Sequence, residues 1–155
     1  MNISIAEIRI DGGTQPRASI DQSVVDEYAE AFERGDALPP VDVFFDGVSH
    51  WLADGFHRYH GASKAGRTEL AATIHNGTQR EAILFSVGAN ASHGLKRTNA
   101  DKRRAVLTLL KDEEWGKKSQ RWIAEKCGVS NFMVSDIAKQ VLDSNTSTRP
   151  AVTTG

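Results

Sequence analysis

The amino-acid sequence predicts an α+β protein in which a small mixed-sheet domain precedes an all-α helix-turn-helix domain. Three observations carry this reading. Up to about residue 78, short strand patterns and turn dipeptides are interleaved with two helical patterns. From Gln79 onward the strand signals vanish and only helical periodicity remains. Charge divides in the same way: residues 1–94 hold 7 Lys+Arg against 13 Asp+Glu, net −6, whereas residues 95–155 hold 12 against 7, net +5. An acidic first part joined to a basic second part is expected when only the second meets a polyanion, although basic residues also serve to solvate helix faces.

Each element has its own signal. "ISIAEIRI" (3–10) alternates apolar and polar residues and reads as a strand; "SVVDEYAEAFERG" has helical apolar spacing and is closed by Gly35. After "LPP", the runs "VDVFF" and "HWLAD" flank Asp46-Gly47, a strong hairpin signal. Residues 56–65 read as a helix ended by Gly66, and "ELAATIH" as a strand before Asn76-Gly77. Phe44 and Trp51 are expected to fill part of the core. "QREAILFSVGANAS" is a helix candidate interrupted by Gly88. "NADKRRAVLTLLKDEEW" is amphipathic, with Ala105, Val106, Leu109 and Leu110 on its apolar side and Asp101 suiting the helix dipole at its start.

Composition narrows the function classes. The 155 residues are 39% hydrophobic and 25% charged, which is globular composition. No apolar run approaches the roughly 18 residues that span a bilayer, and the N-terminus lacks a basic region followed by a long apolar one. A soluble, cytoplasmic protein with no membrane partner is expected. Cys127 is the only cysteine, so neither an internal disulfide nor a thiolate metal cluster can form.

The most specific motif is "QRWIAEKCGVSNFMVSDIAK" (120–139). Ala124 is small enough to sit where two helices cross, and Gly128 four residues later permits a tight turn. Ile123, Cys127, Val129, Val134 and Ile137 take the interior positions, and Ser130 is a natural N-cap. This spacing is that of a helix-turn-helix, with a first helix over about 119–126 and a recognition helix over about 130–141. A generic αα-hairpin is the alternative; the combined small, glycine and apolar positions, with local basic charge, favour DNA binding. Ser130, Asn131, Phe132, Ser135 and Lys139 would then face base edges, while Lys117, Lys118, Gln120 and Arg121 would meet backbone phosphate. Cys127 reads as a buried small hydrophobe.

A second motif is "SHWLADGFHRYHGASKAG" (49–66). It places His57 and Arg58 in the first turn of a helix, the end where cations are ordinarily unfavourable. Two answers stand side by side: an anion such as a nucleotide phosphate sits there and is held by both side chains and the backbone N–H groups, or Arg58 pairs with Asp54 and His57 is neutral. His57 and His60 are three apart, but no further ligand set has metal-site spacing.

The order "TQPR" (14–17), "LPPVDVFFDG" (38–47), "ADGFHRYHGASKAG" (53–66), "ANASHGLKRTNADKRRA" (89–105) and then a helix-turn-helix resembles ParB-type partition proteins and the wider ParB/sulfiredoxin fold, over about residues 3–142. The resemblance implies a ParB/sulfiredoxin-like nucleotide-binding domain over 1–78 and a helical DNA-binding domain over 79–142, with the helix-turn-helix at about 119–141. The polar segment 143–155 is expected to be a disordered tail. The same resemblance implies that CTP or another nucleoside triphosphate binds with Mg²⁺ between the Gln-Pro-Arg segment and the helix opening at Gly55. Thr14, Gln15 and Arg17 would line the pocket, Gly55 and Arg58 would bind phosphates beside Phe56 and His57, and Asn90 would help hold Mg²⁺. Implied partners are double-stranded DNA, a partner ATPase and a second copy of the chain.

Two departures from the family pattern bear on chemistry. ParB proteins usually carry Gly-Glu-Arg-Arg where this chain has Gly55-Phe56-His57-Arg58, and Glu-Asn where it has Ala89-Asn90, so nucleotide hydrolysis is expected to be slow or absent. The sulfiredoxin branch has a cysteine where Phe56 stands, and a phenyl ring is no nucleophile. Nothing after Asp143 has the composition of the C-terminal dimerisation domain of partition proteins, so clamp formation and spreading on DNA are not expected of these residues. The expected function is a DNA-binding partition or transcription-regulating protein of a bacterial chromosome, plasmid or phage. The rival is an enzyme on the same fold, a nucleotide hydrolase, kinase or nuclease, for which Asp54 is the only acid beside the loop.

Overall fold

The structure, a computed structural model, describes residues 1–14, 20–89 and 97–147. They form two compact units, Met1–Ala89 and Asn90–Gly155. The first holds β1 (Asn2–Ser4), a 3-10 turn (Ile5–Glu7), β2 (Ile8–Arg9), α1 (Gln22–Arg34), β3 (Val41–Phe45), β4 (His50–Asp54), α2 (Phe56–Lys64), β5 (Glu69–Asn76) and α3 (Gln79–Gly88). The strand order is β1-β5-β3-β4-β2. Pairings β1–β5 and β3–β4 are antiparallel, whereas β3–β5 and β2–β4 are parallel.

The segment 3–10, read from its alternation as one strand, is two strands broken by the 3-10 turn. Ile5 N–H still follows the β1–β5 register, donating to the Thr68 carbonyl at 2.9 Å, before the chain turns. β1 then lies on one outer edge of the sheet and β2 on the other. In a flat sheet those edges would be about 19 Å apart, four spacings of roughly 4.8 Å. The four residue steps from Ser4 to Ile8 reach at most about 14 Å. The sheet must therefore curl until its edges approach.

Two layers of side chains fill its faces. On one face Ile3, Ile8, Val41, Val43, Leu52, Leu70 and Ala72 join Phe56 and Ala62 of α2, with Phe32 of α1 packed against them. Fully burying each of the larger aliphatic side chains contributes about 1.5–3 kcal/mol. On the other face Phe44, Trp51 and Ala53 meet Ala82 of α3. α3 packs on β4 and β3, so the first unit runs through Ala89 rather than ending at residue 78; its capping box, Thr78 with Glu81, starts it directly off the sheet. α1 and α2 cross at Gly61, where a Cβ would lie 2.6 Å from the Tyr28 Cβ and 3.1 Å from the Ala29 backbone N.

The β3–β4 hairpin forms as the Asp46-Gly47 signal predicts. Gly47 has φ +100°, and the Asp46 carboxylate accepts N–H bonds from Val48 at 2.8 Å and Ser49 at 2.6 Å and from the Trp51 indole at 2.9 Å. These donors hold the Asp46 carboxyl down at about 2, the Ser49 N–H contributing most.

The second unit is helical: α4 (Asn99–Leu110), a 3-10 turn (Trp115–Lys117), α5 (Gln120–Cys127) and α6 (Asn131–Ser147). Thr98 and Asp101 form a capping box on α4. Ala105, Val106, Leu109, Trp115, Ile123, Cys127, Val134 and Ile137 are all buried. α6 continues through Ser147, so the first five residues of the segment expected to be a disordered tail are helical; residues 148–155 lie outside the described residues.

Gly61→Ala is expected to force the α1–α2 crossing apart and lower stability by about 1–3 kcal/mol, measured by denaturant unfolding. Because Asp46 titrates lower folded than unfolded (about 3.9 for free Asp), its contribution is present above about pH 4 and lost as pH falls towards 2. Asp46→Asn consequently destabilises the protein at pH 7 and flattens the acid limb of its stability profile, followed by Trp fluorescence.

Candidate functional site

The first candidate site lies where β4 passes into α2. Asp54 ends the strand, and Gly55 caps the helix at φ +103° and ψ +31°. A Cβ at Gly55 would lie 2.5 Å from the Val41 Cγ1, so only glycine fits both the backbone conformation and the space. Phe56 points into the core at 5% exposure. His57 is almost equally buried, and its Nε2 accepts the Asp21 N–H at 3.0 Å, which makes the ring neutral with its proton on Nδ1. That bond ties α2 to the N-cap of α1, where the Asp21 carboxylate accepts from Ser23 N–H.

Arg58 is a strap. Its Nη1 donates to the Pro39 and Pro40 carbonyls, both at 2.8 Å, and its Nη2 lies 3.6 Å from the Asp54 carboxylate, with only 13% and 8% of the two side chains exposed. Of the two answers for this motif, the Arg58–Asp54 pairing with a neutral His57 is therefore formed, and the guanidinium stays in the first turn of α2. Thr14, 1% exposed, donates its hydroxyl to the Leu52 carbonyl of β4. The structure thus anchors Thr14 and Asp21, on either side of residues 15–19, to the strand and helix that flank Gly55. Gln15, Arg17 and Asn90 lie outside the described residues. Among the described residues, no group of three or more His, Cys, Asp or Glu is placed to hold a metal ion. The Pro39 and Pro40 carbonyls and Asp21 were not among the candidates; the signals were the donor-free Pro-Pro pair, whose carbonyls must find partners elsewhere, and the Asp-Gln-Ser start of α1.

The second candidate site is the α5–α6 corner. α5 ends at Gly128 with φ +68°, and the Val129 N–H returns to the Ala124 carbonyl at 3.0 Å. Ala124 is 4% exposed at the crossing, as its size predicts. Ser130 caps α6 by accepting the Met133 N–H at 3.1 Å. Val134 and Ile137 turn inward and fix the rotation of α6, so Asn131, Phe132, Ser135 and Lys139 are exposed. Lys117, Lys118, Gln120 and Arg121 are exposed beside them in sequence; Arg121 faces Glu125 at 3.6 Å, an exposed pair of little energetic weight. Lys118 and Lys126 both lie 5.6 Å from the Trp122 ring. Cys127 is fully buried, and burial pushes its thiol up to about 12 against the opposing charge of Arg97. It is a core residue with no thiolate to offer.

Arg97 is a further residue that sequence reasoning missed. It counts as one charge in the run "KRTNADKRR", yet it is 7% exposed and its Nη2 donates to the Gly128 carbonyl at 3.1 Å. A buried guanidinium thus holds the turn between the two helices.

Residues 1–91 match the family model of the ParB N-terminal domain. The chain belongs to the ParB N-terminal domain family. The probable chromosome-partitioning protein ParB of Coxiella burnetii is 30% identical over 125 residues, covering 81% of this ParB-family chain and 42% of its own length. A possible regulatory protein of the streptomycin biosynthesis operon from Streptomyces griseus is 34% identical over 59 residues, 38% of this chain and 17% of that one. The chain therefore spans less than half the length of these curated relatives. Among solved structures, C-terminally truncated ParB from Caulobacter crescentus complexed to the centromeric parS site superposes with a TM-score of 0.61 at 14% identity, covering 96% of this chain and 78% of that one. The same Caulobacter protein complexed with CTP-γ-S gives 0.51 at 15% identity, covering 92% and 78%. At these identities the likeness is one of fold. It reaches well beyond the family match at residue 91 and into the helical unit.

For this ParB-family chain, Arg97→Ala removes the charged donor that the Gly128 carbonyl accepts from. The expected cost is about 1.5–3 kcal/mol, the range for a hydrogen bond to a charged group, read as an earlier transition of Trp115 and Trp122 fluorescence in denaturant titrations.

Proposed function

We propose that this protein is a DNA-binding partition or regulatory protein of the ParB type, and that its N-terminal unit binds a nucleoside triphosphate, CTP by kinship with the Caulobacter protein. The observation that carries the DNA reading is α6: a capped helix with a fixed rotation presenting Asn131, Phe132, Ser135 and Lys139 outward, in a segment, residues 95–155, whose net charge is +5. Asn131 and Ser135 offer donors and acceptors to base edges, while Lys117, Lys118, Gln120 and Arg121 hold backbone phosphate and fix position. DNA bound to the full chain in gel-shift titrations is expected to dissociate steeply with salt. The double change Lys117→Ala and Lys118→Ala reduces the slope of log K against log salt by about 2, one for each phosphate that is no longer neutralised. Absence of any complex at about 50 mM salt would reject the reading.

The nucleotide reading rests on the first turn of α2. Its backbone N–H groups and the Arg58 guanidinium give a positive rim beside Gly55, where phosphates would sit; Thr14, Gln15 and Arg17 would line the pocket and Asn90 would help hold Mg²⁺. His57 supports the rim through Asp21. A second reading has its own observation: Arg58 already spans the Pro39 and Pro40 carbonyls and Asp54, as a purely structural strap would. Calorimetry with CTP, ATP and GTP, each with Mg²⁺ and with or without DNA, separates the two. Micromolar CTP binding weakened about tenfold to a hundredfold by Arg58→Ala supports the phosphate role, and no binding below millimolar supports the strap. With phenylalanine at 56 and alanine at 89, turnover of the bound nucleotide is expected to be slow or absent. A cytoplasmic location, a partner ATPase and a homodimer belong to the same reading; gel filtration with and without CTP tests the last.

A further inference from the structure

Phe132 is 80% exposed, a full phenyl ring held in solvent on the second residue of α6. Nothing about its backbone is loose. Ser130 caps the helix through the Met133 N–H, the Val134 N–H reaches the Ser130 carbonyl at 3.3 Å, and Arg97 holds the Gly128 carbonyl two residues before the cap. Val134 and Ile137 are buried, so the row Phe132, Ser135, Lys139, spaced three and four residues apart, points outward as one stripe. The ring leads that stripe at the helix end that enters a groove first. It is flanked by Asn131, a residue whose amide can pair with adenine.

An exposed phenyl ring cannot hydrogen-bond, and the edges of bases in the major groove are donors and acceptors with one exception, the C5-methyl group of thymine. Resting on the DNA-binding reading above, we propose that Phe132 packs on that methyl group, so that a 5-methylpyrimidine is required at one position of the bound sequence. The methyl group and the ring both leave water in that contact, and neither strands a polar group. The ligand class is therefore duplex DNA carrying thymine at a fixed place relative to the base that Asn131 contacts.

The test uses the full chain and duplexes that it selects from a random-sequence pool. Each selected duplex is resynthesised with deoxyuridine in place of thymidine, one position at a time, which removes only the methyl group. Affinity is expected to fall about three- to tenfold at one or two positions and nowhere else, the worth of one buried methyl group. In Phe132→Ala, whose thermal transition should match the parent because the ring is exposed, the same deoxyuridine series becomes flat. If Phe132→Ala weakens binding while deoxyuridine has no effect on the parent, the ring acts as a wedge between base steps and the proposal is overturned. A flat deoxyuridine series with unchanged Phe132→Ala affinity overturns it as well, while leaving DNA binding intact. Failure to select any duplex is the separate outcome that removes the DNA-binding reading and this proposal together.

Discussion

The first unit depends on a geometric constraint: its opening segment supplies both outer strands of a five-stranded sheet through a link of three residues. A chain that short cannot cross a flat sheet, so curvature is imposed by connectivity before any side chain is considered. Curvature then dictates the rest. The face that carries the aliphatic residues of alternate strand positions needs a helical cover, which α1 and α2 provide. Their close crossing at Gly61 lets α2 approach the sheet, and that approach sets the helix start at Gly55 against Val41. The site at the β4–α2 junction is thus a by-product of packing, with Gly55 and Gly61 each placed where a Cβ would collide.

Electrostatics at that junction is economical. A neutral His57 accepts one backbone N–H, and a single guanidinium satisfies two prolyl carbonyls while approaching a nearly buried carboxylate. Such a cation is compensated in the absence of ligand, which removes the anomaly of basic residues at the positive end of a helix. The carbonyl bonds and an incoming phosphate would compete for the same donors, so any affinity there is the difference between two good sets of partners. In the helical unit the cations divide by role. Arg97 is committed to the turn, whereas Lys117, Lys118 and Lys139 are exposed.

Much of this was legible because local chemistry and global fold agree. The Asp46-Gly47 hairpin, the Thr98–Asp101 cap, the Ala124 and Gly128 positions and the Ser130 cap each follow from a residue type whose stereochemistry admits few alternatives. Where sequence and structure part, a longer-range term decided. Alternation in 3–10 is real, but the strand breaks because its halves serve opposite edges. α3 carries no strand pattern and so looked like part of the helical unit, yet its Ala82 face is claimed by Phe44, Trp51 and Ala53. The polarity of 143–147 suggested disorder where helix propagates from a well-capped start. Arg97 was indistinguishable from its basic neighbours, since burial of a guanidinium depends on a carbonyl 31 residues away.

The shortness of the outer strands has a further consequence for how such a molecule can associate. β1 offers three residues and β2 only two, and β2 is followed directly by Ile10 and a Gly12-Gly13 turn. An incoming extended peptide gains affinity from a run of main-chain bonds along an edge, and neither edge supplies a run long enough to register one. Neither β1 nor β2 is by itself a template for strand addition, the common route by which sheet proteins polymerise or capture tails. Helix surfaces and turns carry side chains that can be exchanged by mutation without disturbing the sheet, so binding preference can diversify there while the scaffold stays fixed.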